Sequence, residues 1–426
     1  KNARTSGSPR NGFWIPWANV DDTPRLYQQG EFYARRNYGN KCLRIIKWFD
    51  CRAGQNYGVV DLPFAVTACK HSLNIQITEE THLNSCKIAV VGATGAVGQV
   101  FLDIAEQRNF PIDEIRLCAS TRSVGKKIKF KSQDIAVELC TPEVLDEVDF
   151  AFISASGDVS REIAPLAAKH GTVAIDDSSA FRMDSDVPLV VPEVNAEDLN
   201  EHKGIVAIPN CSTTPLVMVL NPLLKKSAVR RVVVDTFQSV TGTGAAALGE
   251  MEQQSKAVLD NSPVTTKEYP HQIAFNVLPH IEPFQENGYT REEMKMLYET
   301  QKILHDSNIL VSATCVRVPV AVSHSEAIHI EFKDPVSPQE VTEMLENETG
   351  IKVVDDPFAD VYPMPIDAAG GDDVLVGRIR KDISHPNGIA MWVVCDNLRK
   401  GAALNAIQIA EEMMKRDVVS ERNWRK

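Results

Sequence analysis

Residues 87–105 limit what this chain can fold into more than any other stretch. Lys87-Ile88-Ala89-Val90-Val91 is an apolar run of strand length, and Gln99 to Ala105 carries a helical apolar period. Between them lies Gly92-Ala93-Thr94-Gly95-Ala96-Val97-Gly98. A strand, a glycine turn and a helix in that order open a dinucleotide-binding unit. The glycines let the backbone approach a pyrophosphate, which the helix N-terminus then holds. The spacing is GxxGxxG rather than GxGxxG, so the placement of the turn carries the reading more than the motif does.

The next strand, Ile115 to Ala119, ends at Ser120, Thr121, Arg122 and Ser123, with Gly125, Lys126 and Lys127 beyond. An NAD site would put an acidic residue there, whereas hydroxyls and an arginine suit a 2′-phosphate, so the loop favours NADP. Strands at 150–154, 173–176 and 205–208, with a helix over 160–170, predict a parallel, doubly wound α/β sheet. Ser154 to Gly157 and Asp176 to Arg182 then fall at the carboxyl edge, where ligands bind. Arg182 there is either an anion clamp or a surface ion pair.

A strand ends at Pro209, and a helix opens just beyond Asn210-Cys211-Ser212-Thr213-Thr214, with Pro215 in its first turn. The positive end of that helix favours a thiolate at Cys211, the form in which cysteine is a nucleophile. Taken alone, Cys211 reads equally as a buried apolar cysteine. Later segments change rhythm. A strand over 232–238 leads to Thr241-Gly242-Thr243-Gly244 and a helix over 245–259. Thr290 caps a helix to about Leu304, strands follow near 309–317 and 327–332, and Ser337-Pro338-Gln339-Glu340 is a capping box for a helix ending near Glu346. This is an α+β arrangement around a mixed sheet, with apolar surface that suits dimerisation. A last helix over 400–415 has one apolar face.

The formal net charge of −12 over 426 residues excludes nucleic acid as a general partner. No apolar run approaches the roughly 20 residues that span a bilayer. Nine cysteines without CxxC pairs indicate neither a zinc ribbon nor a disulfide framework, so no metal is expected and the thiols suit a reducing compartment. Residues 1–85 show no clear period and fit a disordered or targeting segment, which makes the localisation cytoplasmic, or plastid if that segment is a transit peptide. The expected division is 86–211 for cofactor binding, 212–390 for catalysis and dimerisation, and 391–426 for a helix returning to the first domain.

From about Lys87 to Met414 the chain resembles the aspartate-β-semialdehyde dehydrogenase family. The resemblance rests on Val90 through Gly98, Ser178 through Arg182, Val190 through Asn195, Pro209 through Thr213, Tyr289 through Lys295, Thr314 through Pro319, His324-Ser325-Glu326, Gly377 through Arg380 and Asn397 through Ala403. It implies a Rossmann-like cofactor domain and an α+β catalytic domain in an NADP-dependent homodimer or tetramer. It makes Cys211 the nucleophile that forms a thioester, His324 the acid–base group and Gln238 the residue that orients substrate. Arg317 would grip an α-carboxylate, Glu292 an α-ammonium group, and Arg182 with Lys295 inorganic phosphate, with Asn210 beside the substrate. The cofactor would lie against Gly92, Thr94, Gly95, Ala96, Val97, Gly98, Ser120, Arg122, Ser123, Ser154, Gly157, Ser239, Gly242 and Asn397. Asp177 departs from the asparagine common beside the phosphate-binding arginine and would repel phosphate if it faced the site. Two alternatives stay open: N-acetyl-glutamyl-phosphate reductase, whose substrate nitrogen is uncharged, and a non-catalytic paralogue serving as a regulatory subunit.

Overall fold

The computed structural model describes residues 85–419 and, before them, the three strands Arg35–Tyr38, Lys41–Ile45 and Ile77–Glu79. Those three form an antiparallel sheet of their own where the sequence shows no strand period. The rest of the targeting-or-disorder expectation for 1–85 lies outside the described residues.

The main unit, Leu83–Lys426, is built on two sheets. The first contains β1 (Cys86–Val91), β2 (Ile112–Cys118), β3 (Lys127–Phe130), β4 (Gln133–Glu138), β5 (Phe150–Ile153), β6 (Val173–Asp176) and β7 (Ile205–Ala207). Their order is β7-β6-β5-β1-β2-β4-β3, parallel except for β3, which returns antiparallel against β4. The basic loop after β2 holds a short turn at Thr121–Ser123, and the β3–β4 hairpin follows it, over residues for which the sequence predicts no element. Helix α1 (Ala96–Gln107) follows β1, and α2 (Gly157–Lys169) follows β5. β1 is apolar on both faces because both are covered. Ile88 and Val90 join the cluster under α1, whereas Ala89 and Val91 join the one under α2.

The second sheet contains β8 (Val229–Gln238), β9 (Leu310–Arg317), β10 (His324–Phe332), β11 (Ile351–Val353), β12 (Val374–Lys381) and β13 (Gly388–Cys395), in the order β9-β8-β10-β13-β12-β11. Helices α3 (Thr213–Leu224), α5 (Arg291–Ile303) and α6 (Pro338–Glu346) cover its inner face; α4 (Ala245–Leu259) packs beyond the end of β8. Inner-face residues of β8 alternate as Val232, Val234, Thr236 and Gln238, all buried, with Val233, Asp235 and Phe237 on the less buried outer face.

One expected boundary is wrong. Residue 391 falls inside β13, which pairs with both β10 and β12, so the return to the first sheet starts only after Cys395. β13 is buried along nearly its whole length and lacks the polar alternation that marks a half-exposed strand. Past it the chain makes a π-helical turn at Arg399–Ala403 and continues as α7 (Leu404–Arg416), whose Leu404, Ile407, Ala410 and Met413 complete the core of the first sheet. No helix among the described residues is long and apolar enough to cross a membrane.

Gly92 closes the end of β1 at φ +92°, and a Cβ there would stand 2.0 Å from the Ser154 carbonyl oxygen at the end of β5. Gly95 is milder, with its nearest contact at 3.2 Å and no positive φ. Gly92→Ala is therefore expected to cost about 2–4 kcal/mol in denaturant unfolding, against less than about 1 for Gly95→Ala. Equal midpoints for the two variants would show that the turn relaxes freely.

Candidate active site

Cys211 lies between β7 and α3, in a turn held from several directions. The Asn210 side chain accepts the Ser212 N–H at 2.9 Å and donates to Glu292 Oε1 at 3.0 Å. The Asn210 N–H donates to Glu299 Oε2 at 2.7 Å, and its carbonyl accepts the Thr214 N–H at 3.0 Å. Asn210 thus shapes the turn as well as lining the cavity beside it. On another side sits Gly401, in the π-helical turn, where a Cβ would come 3.0 Å from Cys211 Cβ. Cys211 opens onto a cavity of about 950 Å³ whose wall also includes Arg182, Gln238, Glu292, Lys295 and Arg317. The structure therefore gathers these six expected residues, from both sheets, around one space.

The expected thiolate is not what this arrangement favours. Burial, followed by the charge of Glu292, pushes the Cys211 thiol up to about 12, although Arg317 and Arg182 pull the other way. Cys211 also precedes the N-cap, Ser212, so it lies outside the first turn of α3. Desolvation outweighs the helix terminus here.

One face of α5 organises the site. Glu292, Lys295, Met296 and Glu299 recur at helical spacing, and the helix starts on the Thr290–Glu293 capping box. Glu292 is buried, which alone would raise its pKa. Lys295 at 2.9 Å and donors from Asn210 and Gln238 outweigh that and hold it near 2. Lys295 also pairs with Glu282 at 2.6 Å, so the expected phosphate-binding lysine lies between two carboxylates. Glu282 itself has φ +63°, a left-handed conformation that non-glycine residues rarely adopt.

Strand register sets the opposite wall. Gln238 and Arg317 end β8 and β9 as paired residues, and His324 begins β10 on the far side of β8. Gln238 Nε2 donates to Glu292 Oε1 at 3.1 Å and Thr236 Oγ1 at 3.3 Å. Arg317 Nη1 donates to the Ser239 carbonyl at 2.7 Å, and the guanidinium has no ion pair among the described residues. His324 is 1% exposed, one layer behind the wall. Its Nδ1 accepts the Ser239 N–H at 3.0 Å, which places the ring proton on Nε2, an atom with no partner. Burial, then Arg317, lowers its pKa to about 3, so the imidazole is neutral. Gly242 makes the close approach possible, since a Cβ there would stand 2.8 Å from Arg317 Nη1 and 3.1 Å from His324 Nε2.

Val97, Gly157, Gly242 and Asn397 line the same cavity. The Gly92–Gly98 turn brings Thr94, Gly95 and Ala96 to the start of α1, and Ser120 and Arg122 stand exposed at the end of β2, with Ser123 buried beside them. Two expected cofactor contacts are engaged elsewhere. Ser239 is fully buried, and its Oγ lies 3.0 Å from Asn397 Oδ1 and 3.1 Å from His324 Nδ1, so it braces the imidazole. Ser154 Oγ donates to Asp177 Oδ2 at 3.2 Å. Asp177 does face the cavity, and burial raises its pKa to about 7 despite Arg182. A glycine turn with no room for a Cβ at Gly92 or Gly98, whose Val97 lines the cavity that reaches Cys211, suits a dinucleotide.

Residues 87–202 match the semialdehyde dehydrogenase NAD binding domain, and residues 220–400 match the semialdehyde dehydrogenase dimerisation domain. An aspartate-semialdehyde dehydrogenase of Aquifex aeolicus is 52% identical over 337 residues, which is 78% of this chain and 99% of that protein. The chain belongs to the aspartate-semialdehyde dehydrogenase family. Within this family, the crystal structure of aspartate semialdehyde dehydrogenase II from Vibrio cholerae is 46% identical, with a TM-score of 0.76, over 78% of this chain and 99% of that one. A second structure of that enzyme is complexed with ASA. The family member from Candida albicans, solved with NADP, is 29% identical with a TM-score of 0.62, over 79% of this chain and 100% of that one.

Glu282, Glu299 and Gly401 were not singled out from the sequence as site residues. The helical spacing from Glu292 to Glu299 was the one signal available for Glu299. A raised thiol has a kinetic signature. Alkylation of Cys211 by iodoacetamide, followed on its peptide by mass spectrometry, should quicken about tenfold per pH unit from 7 to 10 in the free protein. A plateau near neutrality would mean that the thiolate is already formed.

Proposed function

We propose that this protein is an NADP-dependent aspartate-semialdehyde dehydrogenase. It converts L-aspartyl-4-phosphate to L-aspartate 4-semialdehyde and inorganic phosphate through a thioester on Cys211, a reaction of lysine, threonine and methionine biosynthesis. The observation that carries the reading is the convergence on Cys211 of Arg317, Glu292 and Gln238, a set complementary to a free α-amino acid. Arg317 holds the α-carboxylate and Glu292 the α-ammonium group, while Gln238 orients the reacting end. Bound NADP, held along the Gly92–Gly98 turn and the Ser120–Arg122 loop, supplies the hydride donor or acceptor.

Cys211 Sγ bonds to the acyl carbon of the aspartyl phosphate, the carbon–oxygen bond to phosphate breaks, and the departing phosphate takes the thiol's proton. His324, carrying its own proton on Nε2, donates a hydrogen bond to the oxygen where charge develops. The substrate itself relieves the high thiol pKa. Its ammonium group neutralises Glu292, whose charge helps hold the proton on sulfur. An acetylated nitrogen has no charge with which to do this, which weighs against an N-acetyl-glutamyl-phosphate substrate. Arg182 and Lys295 hold phosphate; Lys295 exchanges a carboxylate partner for it. The working unit is a homodimer paired through the outer face of the second sheet, where Phe237 and Trp392 lie 5.3 Å apart, and sedimentation distinguishes it from a tetramer. The compartment is the cytoplasm, or a plastid if residues 1–85 are a targeting segment.

The test is NADP reduction with phosphate and aspartate semialdehyde. Turnover should fall at least about 10³-fold in Cys211→Ala and be absent with N-acetylglutamate semialdehyde. Turnover of the acetylated substrate alone would move the protein to the rival activity. No turnover of either, with NADP still bound, would favour a regulatory subunit.

Asp177 gives this reading a pH dependence. With its pKa raised to about 7, it is uncharged at pH 6 and charged at pH 8.5 beside Arg182. The KM for phosphate in the unaltered protein should exceed that of Asp177→Asn by about fivefold at pH 8.5 and match it at pH 6. Phosphate titrates alike in both proteins, so a ratio that does not change with pH would mean Asp177 turns away from the anion.

A further inference from the structure

Glu299 is 1% exposed, and both of its carboxylate oxygens are used by groups far away in sequence. Oε1 accepts from Arg182 Nη1 at 3.1 Å, and Oε2 accepts the Asn210 N–H at 2.7 Å. One of these partners is the guanidinium assigned above to phosphate. The other is the backbone immediately before the nucleophile. Its helical neighbours Met296 and Ile303 belong to an apolar cluster, so packing alone would accept an apolar side chain at 299. A buried carboxylate is costly unless fully paired, and this one is paired to two functional elements rather than to a structural counter-ion.

We propose that Glu299 is a positioning residue that fixes the anion-binding guanidinium relative to the Cys211 turn. The proposal rests on the reading of Arg182 as a phosphate ligand. The second hold on Arg182 is the Asp177 carbonyl, which accepts from Nη2 at 2.8 Å, so two fixed oxygens set the plane of the guanidinium. Its Nε remains a buried donor without a partner, and Arg182 lines the cavity. The step that depends on this spacing is thioester cleavage. A phosphate oxygen bonds to the acyl carbon, the carbon–sulfur bond breaks, and the phosphate's proton passes to sulfur, giving an acyl phosphate and the free thiol. In the direction of NADP reduction, the attack of Cys211 on the aldehyde and the hydride transfer that yields the thioester do not use the phosphate and should not sense Glu299.

Glu299→Gln keeps the size and one acceptor for the Asn210 N–H, but sets an amide against Arg182. In the full-length protein, with folding checked by circular dichroism and melting, the phosphate-independent burst of NADPH should stay within about threefold. The KM for phosphate, and the Kd for inorganic phosphate by calorimetry, should rise about tenfold, and Arg182→Lys added to Glu299→Gln should bring little further loss. If Glu299→Gln does not fold, Glu299→Asp, which keeps the charge but retreats from Arg182, is held to the same rise in the phosphate KM and Kd, with phosphate-dependent turnover falling more than the burst. Unchanged phosphate constants, or a burst reduced as much as phosphate-dependent turnover, would overturn the proposal. Arg182→Lys alone separates the two readings. If it leaves the phosphate constants unchanged, the assignment of Arg182 fails; if it raises them and Glu299→Gln does not, only the role of Glu299 fails.

Discussion

The site depends first on the carboxylate of Glu292. It is buried, yet it stays ionised because Asn210, Gln238 and Lys295 all donate to it. Those donors come from the nucleophile's turn, the end of β8 and the next turn of its own helix. One charge therefore pulls three elements to a common centre. Removing a partner from such a buried set costs about 3–5 kcal/mol, because the remaining charges are left unsolvated. Recognition and architecture cannot be separated here: the group proposed to read the substrate's ammonium also joins the two walls of the cavity.

Burial first, and the same carboxylate second, account for the protonated resting state of the sulfur. A helix N-terminus stabilises a nearby thiolate only when its field is not outweighed, and at Cys211 burial and a neighbouring anion prevail. The proposed chemistry then begins with a change of local charge on ligand binding. A thiol that stays protonated until the correct cation arrives is also protected from unproductive electrophiles.

How much of this the sequence revealed follows from the range of each interaction. The turn after β1, the N-cap at Thr290, the capping box at Ser337 and helix α4 (Ala245–Leu259) depend on neighbours a few residues apart and were all legible. Gln238, Arg317 and His324 were found through family resemblance, because strand register, invisible in a single chain, is what aligns them. Strands β11, β12 and β13 went unread, and the expected boundary at 391 cut through the last of them. The contacts of Glu299 are 89 and 117 residues away, and nothing local marks them. A helix terminus, read locally, favours a thiolate at Cys211, whereas burial, which belongs to the whole fold, raises the thiol.

Gly401 is packed against Cys211, although the two are 401 − 211 = 190 residues apart in sequence. During synthesis the nucleophile therefore leaves the ribosome long before the segment that roofs it. Until α7 docks, the sulfur lacks one wall of its enclosure, and part of the desolvation that keeps it protonated is missing. Docking of the π-helical turn and α7 supplies that wall, so completing the core of the first sheet and quieting the thiol are linked.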